Sequence, residues 1–181
     1  SVLLHSINAE DVPDQEFYQY QGMKYYAHGA NQISIDLYLP SKAKWINGNN
    51  LRCSIWGTGY NEGDISLYPI IEFTNNDLDS DSDTEGDPRF RIFPIDPSEV
   101  SWKNIYSLTS DDFGRWYTFR IILHKNVNEI EYIIENSSGE IISDRLGANN
   151  TQSLNNIILQ GHNIMPDGET YNIYWDNLLV K

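Results

Sequence analysis

The chain has one cysteine, Cys53, in 181 residues. That excludes an intrachain disulfide and any zinc site built from several thiolates. Basic residues are scarce: 12 Lys and Arg stand against 26 Asp and Glu, a formal net charge of −14. So acidic a surface repels nucleic-acid backbones and anionic membranes, and neither is expected as a partner. No apolar run approaches the roughly 18 to 20 residues of a membrane-spanning helix, so membrane insertion is not expected. Long helical periods, internal repeats, low-complexity stretches and breaks in composition are also lacking. Residues 1–181 therefore read as one domain, and the abrupt ends raise the expectation of a module within a larger exported protein, secreted or at the cell surface.

What the chain does have is apolar and aromatic material. Hydrophobic residues make up 40% and aromatic residues 13%, with 12 Tyr and 5 Trp. That is enough to build a core at this length. The apolar residues mostly alternate in short runs divided by Gly, Asn, Asp and Pro. Ile33, Ile35, Leu37 and Leu39 alternate with polar or ring residues until Pro40. Leu51, Cys53 and Ile55 alternate with Arg52, Ser54 and Trp56 until Gly57. Further strands are expected over 65–74, 89–93, 116–124, 129–135, 140–143, 154–162 and 171–180. Turns of about four residues, 125–128 and 136–139, join three of these into a meander. Such a series without a helix specifies a sandwich or a barrel.

Three motifs then occur in a suggestive order: Asp36-Leu37-Tyr38-Leu39-Pro40-Ser41, Gly114-Arg115-Trp116-Tyr117-Thr118-Phe119 and Tyr174-Trp175-Asp176-Asn177-Leu178-Leu179-Val180. From about Asn31 onward the chain resembles the concanavalin A-like lectin and glucanase superfamily, which includes jelly-roll carbohydrate-binding modules and polysaccharide lyases. The resemblance implies an all-β fold, a two-sheet antiparallel jelly-roll β-sandwich, and a polysaccharide or glycan as partner. It also implies a structural calcium shared between an acid near the amino terminus, Glu10 or Asp11, and Asp176 on the last strand. Other domains of a parent chain are further expected partners.

The alternation supplies candidate ligand residues. With Leu51, Cys53 and Ile55 facing the core, Arg52 and Trp56 point outward. The same logic turns Asp36 and Tyr38, Arg120 and His124, and Gln160 and His162 outward. Rings cover the C–H faces of a sugar, and planar polar groups bond its hydroxyls. The ring-bearing segment 56–64 reads as a loop bordering a cleft, with Tyr60 beside Trp56. Trp102 sits in an irregular segment where it too can stack on a ligand, while Trp116 and Trp175 read as core. The expected ligand residues are thus Trp56, Tyr60, Arg52, Tyr38, Arg120, Gln160, His162 and Trp102, and which of them share a sheet is left open.

The acidic segment 77–87 offers a second calcium candidate. Asp81, Asp83 and Glu85 followed by Gly86 match part of an EF-hand loop, although Ile92 replaces its bidentate Glu. A solvated acidic loop explains the same residues. Catalysis has two weaker footholds. Glu129, Glu131 and Glu135 share a strand face, as the carboxylates of a retaining glycosidase must. Gln160-Gly161-His162 with Arg52 and a tyrosine could serve a polysaccharide lyase. The reading is a non-catalytic carbohydrate-binding or lectin-like domain, with a lyase or glycosidase and a protein-binding adhesion or scaffold domain as alternatives.

Overall fold

The computed structural model describes residues 2–7, 22–48, 51–75, 87–93, 102–163 and 170–181. Thirteen strands, one short α-helix and two single-turn 3-10 helices are defined among them. In chain order the strands are β1 (Leu3–Ile7), β2 (Gly22–Ala30), β3 (Gln32–Leu39), β4 (Leu51–Asn61), β5 (Asp64–Leu67), β6 (Ile70–Thr74), β7 (Arg89–Phe93) and β8 (Lys103–Ser107). They continue with β9 (Arg115–His124), β10 (Glu129–Asn136), β11 (Ile141–Gly147), β12 (Ser153–Asn163) and β13 (Tyr171–Val180), and the helix α1 is Ala43–Asn47.

The strands form two antiparallel sheets. The first runs β1-β13-β3-β9-β10-β11, and the second β2-β12-β4-β6-β7-β8 with β5 paired to β4. The expected jelly-roll sandwich is therefore the observed architecture. Its order follows from period-two patterning, since each strand with one apolar face must bury that face against another sheet. Ile33, Ile35, Leu37 and Leu39 of β3 and Phe119, Ile121 and Leu123 of β9 meet Leu51, Cys53, Ile55, Ile71, Phe73, Phe90 and Ile92 from the second sheet. Phe90 stands at the centre of a ring cluster, 4.9 Å from Tyr117 and 5.4 Å from Phe119, both edge-on. Trp175 is fully buried, as expected.

Three local expectations need correction. Trp116 is not core: it alternates with buried Tyr117 on β9 and lies half-buried on the outer face of the first sheet. Segment 56–64 is not a loop. β4 continues to Asn61, and the turn is confined to Glu62 and Gly63, both at positive φ. Gly57 and Gly59 mimic loop residues in sequence, yet they serve packing, because a Cβ on Gly59 would stand 2.9 Å from Thr151 Cγ2. The expected single strand 65–74 is divided at Pro69, which lacks the N–H a ladder needs.

Candidate functional site

β4 is the axis of the site. Its even-numbered residues from Arg52 to Tyr60 turn away from the core, flanked by β12 on one side and β6 on the other. His162 lies directly opposite Arg52, Gln160 opposite Ser54, and Ile158 opposite Trp56. On the far side Thr74, Glu72 and Ile70 occupy the matching positions of β6. One outer face therefore gathers Arg52, Trp56, Tyr60, Gln160 and His162 out of separate parts of the sequence.

The face has two regions. Around Trp56 and Tyr60 a groove of about 560 Å³ opens. Thr58, Asn156 and Ile158 form its floor, Lys24 of β2 borders one side, and Ile65 and Tyr68 from the β5 hairpin border the other. Tyr68 meets Trp56 edge-on at 5.6 Å, which holds the indole by its quadrupole. Asn156 donates its amide to the Tyr60 hydroxyl at 3.2 Å, fixing the orientation of both. Lys24 lies 5.5 Å from the Tyr26 ring.

The neighbouring region is an ionic cluster. Glu72 is 1% exposed and accepts from Arg52 Nε at 2.9 Å and from Arg91 Nη2 at 2.6 Å. Trp102 lies over both guanidiniums, 4.1 Å from Arg91 and 5.3 Å from Arg52. Burial pushes the Glu72 carboxyl up, but the two arginine charges and hydrogen bonds outweigh it and hold the group below its ordinary range. Beside them, His162 is depressed to about 4, chiefly by burial and then by the Arg52 charge, with Glu72 opposing. The imidazole is thus neutral near pH 7.

Of the eight expected ligand residues, Trp56 and Tyr60 line the groove. Arg52, Gln160, His162 and Trp102 belong to the ionic region of the same sheet. Tyr38 and Arg120 do not join them: both lie on the outer face of the first sheet, on β3 and β9, across the core. Thr58, Asn156, Ile158 and Lys24 are groove residues that sequence reasoning passed over. Extending the outward alternation of Arg52 and Gln160 along β4 and β12 reaches the first three, apart from a bulge between Leu154 and Asn156.

The glutamates of the β9–β10 hairpin hold structural partners. Glu131 accepts from His124 at 2.8 Å and from Arg145 at 3.0 Å, and Glu135 lies 3.5 Å from Arg120. Glu10 and Asp11, and the alternative set Asp81, Asp83 and Glu85, lie outside the described residues. Asp176 stands directly across from Asp36, whose carboxylate accepts from Thr118 at 2.6 Å and from Asn177 at 2.7 Å. Among the described residues no three His, Cys, Asp or Glu side chains converge as a cation requires, so a calcium at Asp176 depends on Glu10 and Asp11.

No protein-family model matches the sequence, and no curated protein matches it. Solved structures do match in shape. An alginate lyase from Klebsiella pneumoniae is similar with a TM-score of 0.53 at 7% identity, over 98% of this chain and 80% of the lyase. A legume lectin-like domain from Entamoeba histolytica is similar with a TM-score of 0.54 at 12% identity, over 89% of this chain and 79% of that domain. The fold is the concanavalin A-like jelly roll. A lectin-like domain and a lyase both occur on it, so the fold alone does not choose between binding and turnover.

Proposed function

We propose that the chain is a non-catalytic carbohydrate-binding or lectin-like domain whose glycan lies in the groove over Trp56. The observation that carries the reading is the make-up of that groove. Two tyrosines and a tryptophan supply amphipathic surface, Asn156 and Thr58 supply hydrogen bonds, and Lys24 supplies a cationic rim. The volume of about 560 Å³ suits a small-ligand cleft. Arg52 and His162 extend the binding face along β4 and β12, while Gln160, expected there too, is only 2% exposed and lies beneath it; an extracellular or cell-surface setting belongs to the same proposal.

Trp56→Ala is the test. Losing a stacking ring at a binding hot spot costs on the order of 1 to 3 kcal/mol, so glycan affinity falls roughly tenfold to a hundredfold. Stability falls far less than the about 3 to 5 kcal/mol that truncating a core tryptophan costs. Affinity electrophoresis against a panel of soluble polysaccharides, with thermal melting in parallel, reads both quantities. Unchanged retardation together with a collapsed melting temperature overturns the reading.

One observation favours polysaccharide lyase as the second reading: a neutral His162 faces Arg52 across the β4–β12 pair. A base and a group that neutralises a carboxylate are what β-elimination from a uronate needs. Against it, Glu72 already engages the Arg52 guanidinium. Ultraviolet absorbance of an unsaturated product separates turnover from binding.

A further inference from the structure

Tyr38 and Trp116, which the groove does not use, belong to a second arrangement on the opposite sheet. Leu4, Tyr174, Tyr38 and Trp116 are direct cross-strand partners on β1, β13, β3 and β9. They form one transverse row on the outer face, each alternating with a core residue of its strand. The Tyr38 ring lies 5.3 Å from Trp116 at an angle of 50°, and 6.2 Å from Tyr174 at 81°. Rings tilted in this way enclose space instead of paving a plane, and the hollow they border measures about 380 Å³. That lies within the range of about 300 to 1,000 Å³ typical of small-ligand clefts. Ser41 and Lys42 stand at its rim, and Lys42 makes no ion pair among the described residues.

The surroundings specify the occupant. Val2 and Pro40 complete the apolar lining of the hollow, and polar groups bound it. On one side Asp36, Thr118 and Asn177 form a hydrogen-bonded polar row; on the other Ser6 donates to Asn172 at 2.8 Å. A protein partner or a second copy of this chain needs a broad patch, about 800 Å² on each side for a stable interface, and this strip is too narrow. A cage of rings also attracts quaternary ammonium groups, but the Lys42 charge at the rim repels them. A pyranose meets every condition: its C–H face covers a ring, and its acceptor oxygens face the Lys42 ammonium and the Ser41 hydroxyl.

We propose that the row Tyr174–Tyr38–Trp116 is a second glycan-binding site, on the sheet opposite the groove, which stacks a sugar ring on Trp116 and Tyr38 while Lys42 and Ser41 donate to its oxygens. The site stands whether or not the groove binds a sugar. A domain with both sites holds two glycan segments, one on each face.

The tryptophan indole N–H signals of the ¹⁵N-labelled full chain give the test, titrated separately with the hexasaccharides of cellulose, mannan and alginate. The signal of Trp116 moves with at least one of the three, and Trp56→Ala leaves that movement intact. Trp116→Ala or Lys42→Ala weakens the same interaction tenfold or more, read from the Tyr38 and Tyr174 signals. The proposal is overturned if the Trp116 signal stays in place with all three sugars, or moves only with choline or with rising protein concentration. Trp56 reports the groove on a separate signal, so failure of one site is distinguishable from failure of the other.

Discussion

Glu72 lies buried between two guanidiniums on the outer face of the second sheet, where Ser54, Thr74 and Gln160 are buried as well. Removing one member of a buried charged group leaves the others uncompensated and costs about 3 to 5 kcal/mol. Glu72→Ala is therefore expected to lower unfolding stability by that order in denaturant titration, and a loss below about 1 kcal/mol would contradict the clamp. His162 is expected to make stability depend on pH in a definite direction. Its native value is about 4 against 6.5 for the free imidazole. Between those limits the unfolded chain takes up the proton and the native state resists it, so stability declines as pH falls from about 6.5 towards 4. Glu72 adds to the decline in the same sense once pH drops below about 4.5, because its folded value lies under that. Melting temperatures across pH 4 to 8 check this, and His162→Gln should flatten the upper part of the curve.

Among the elements, β12 shows how tightly the site is built into the packing. Gln160 and His162 turn outward, and Gly161 between them faces the core, where a Cβ would run into Ile7 and Ile173 of the opposite sheet. Overpacking of this kind costs about 1 to 3 kcal/mol. Gly161→Ala is expected to destabilise by that amount and to displace its two outward neighbours, measurable by urea melts and by glycan affinity together. The same element marks what the sequence could reveal. Alternation within β4 and β12 was enough to turn Arg52, Trp56, Gln160 and His162 outward. It was not enough to say that β12 pairs with β4, about a hundred residues earlier, or that Tyr38 and Arg120 lie in the other sheet. Pairing is a tertiary choice, and period-two patterning is the same in both sheets. Gly57 and Gly59 misled for a related reason: the contacts that require them come from Pro69, Leu67 and Thr151. β1 and β2 went unseen because the outer positions of these sheet-edge strands carry apolar residues such as Leu4 and Tyr26, which blur the alternation; β8 has only Ile105 and Tyr106 in five residues, too few to show one.

At the scale of the molecule, a net charge of −14 makes a bound cation a natural compensation, and a structural calcium remains a proposal for Asp176 with Glu10 or Asp11, or for Asp81, Asp83 and Glu85. A calcium bound by the native state alone raises the melting temperature by mass action, by an amount that grows with its concentration. Identical melting in millimolar calcium and in chelator, with no metal co-purifying, would end that proposal. The strand order carries a different consequence. β3 lies between β9 and β13, and β4 lies between β6 and β12, so each of these early strands has one neighbour that is among the last to be made. At roughly 5 to 20 residues per second of synthesis, β4 waits on the order of 5 to 20 seconds for β12. Throughout that interval the β4 edge that will receive β12 is unpaired, and newly made chains are then most exposed to mispairing with one another.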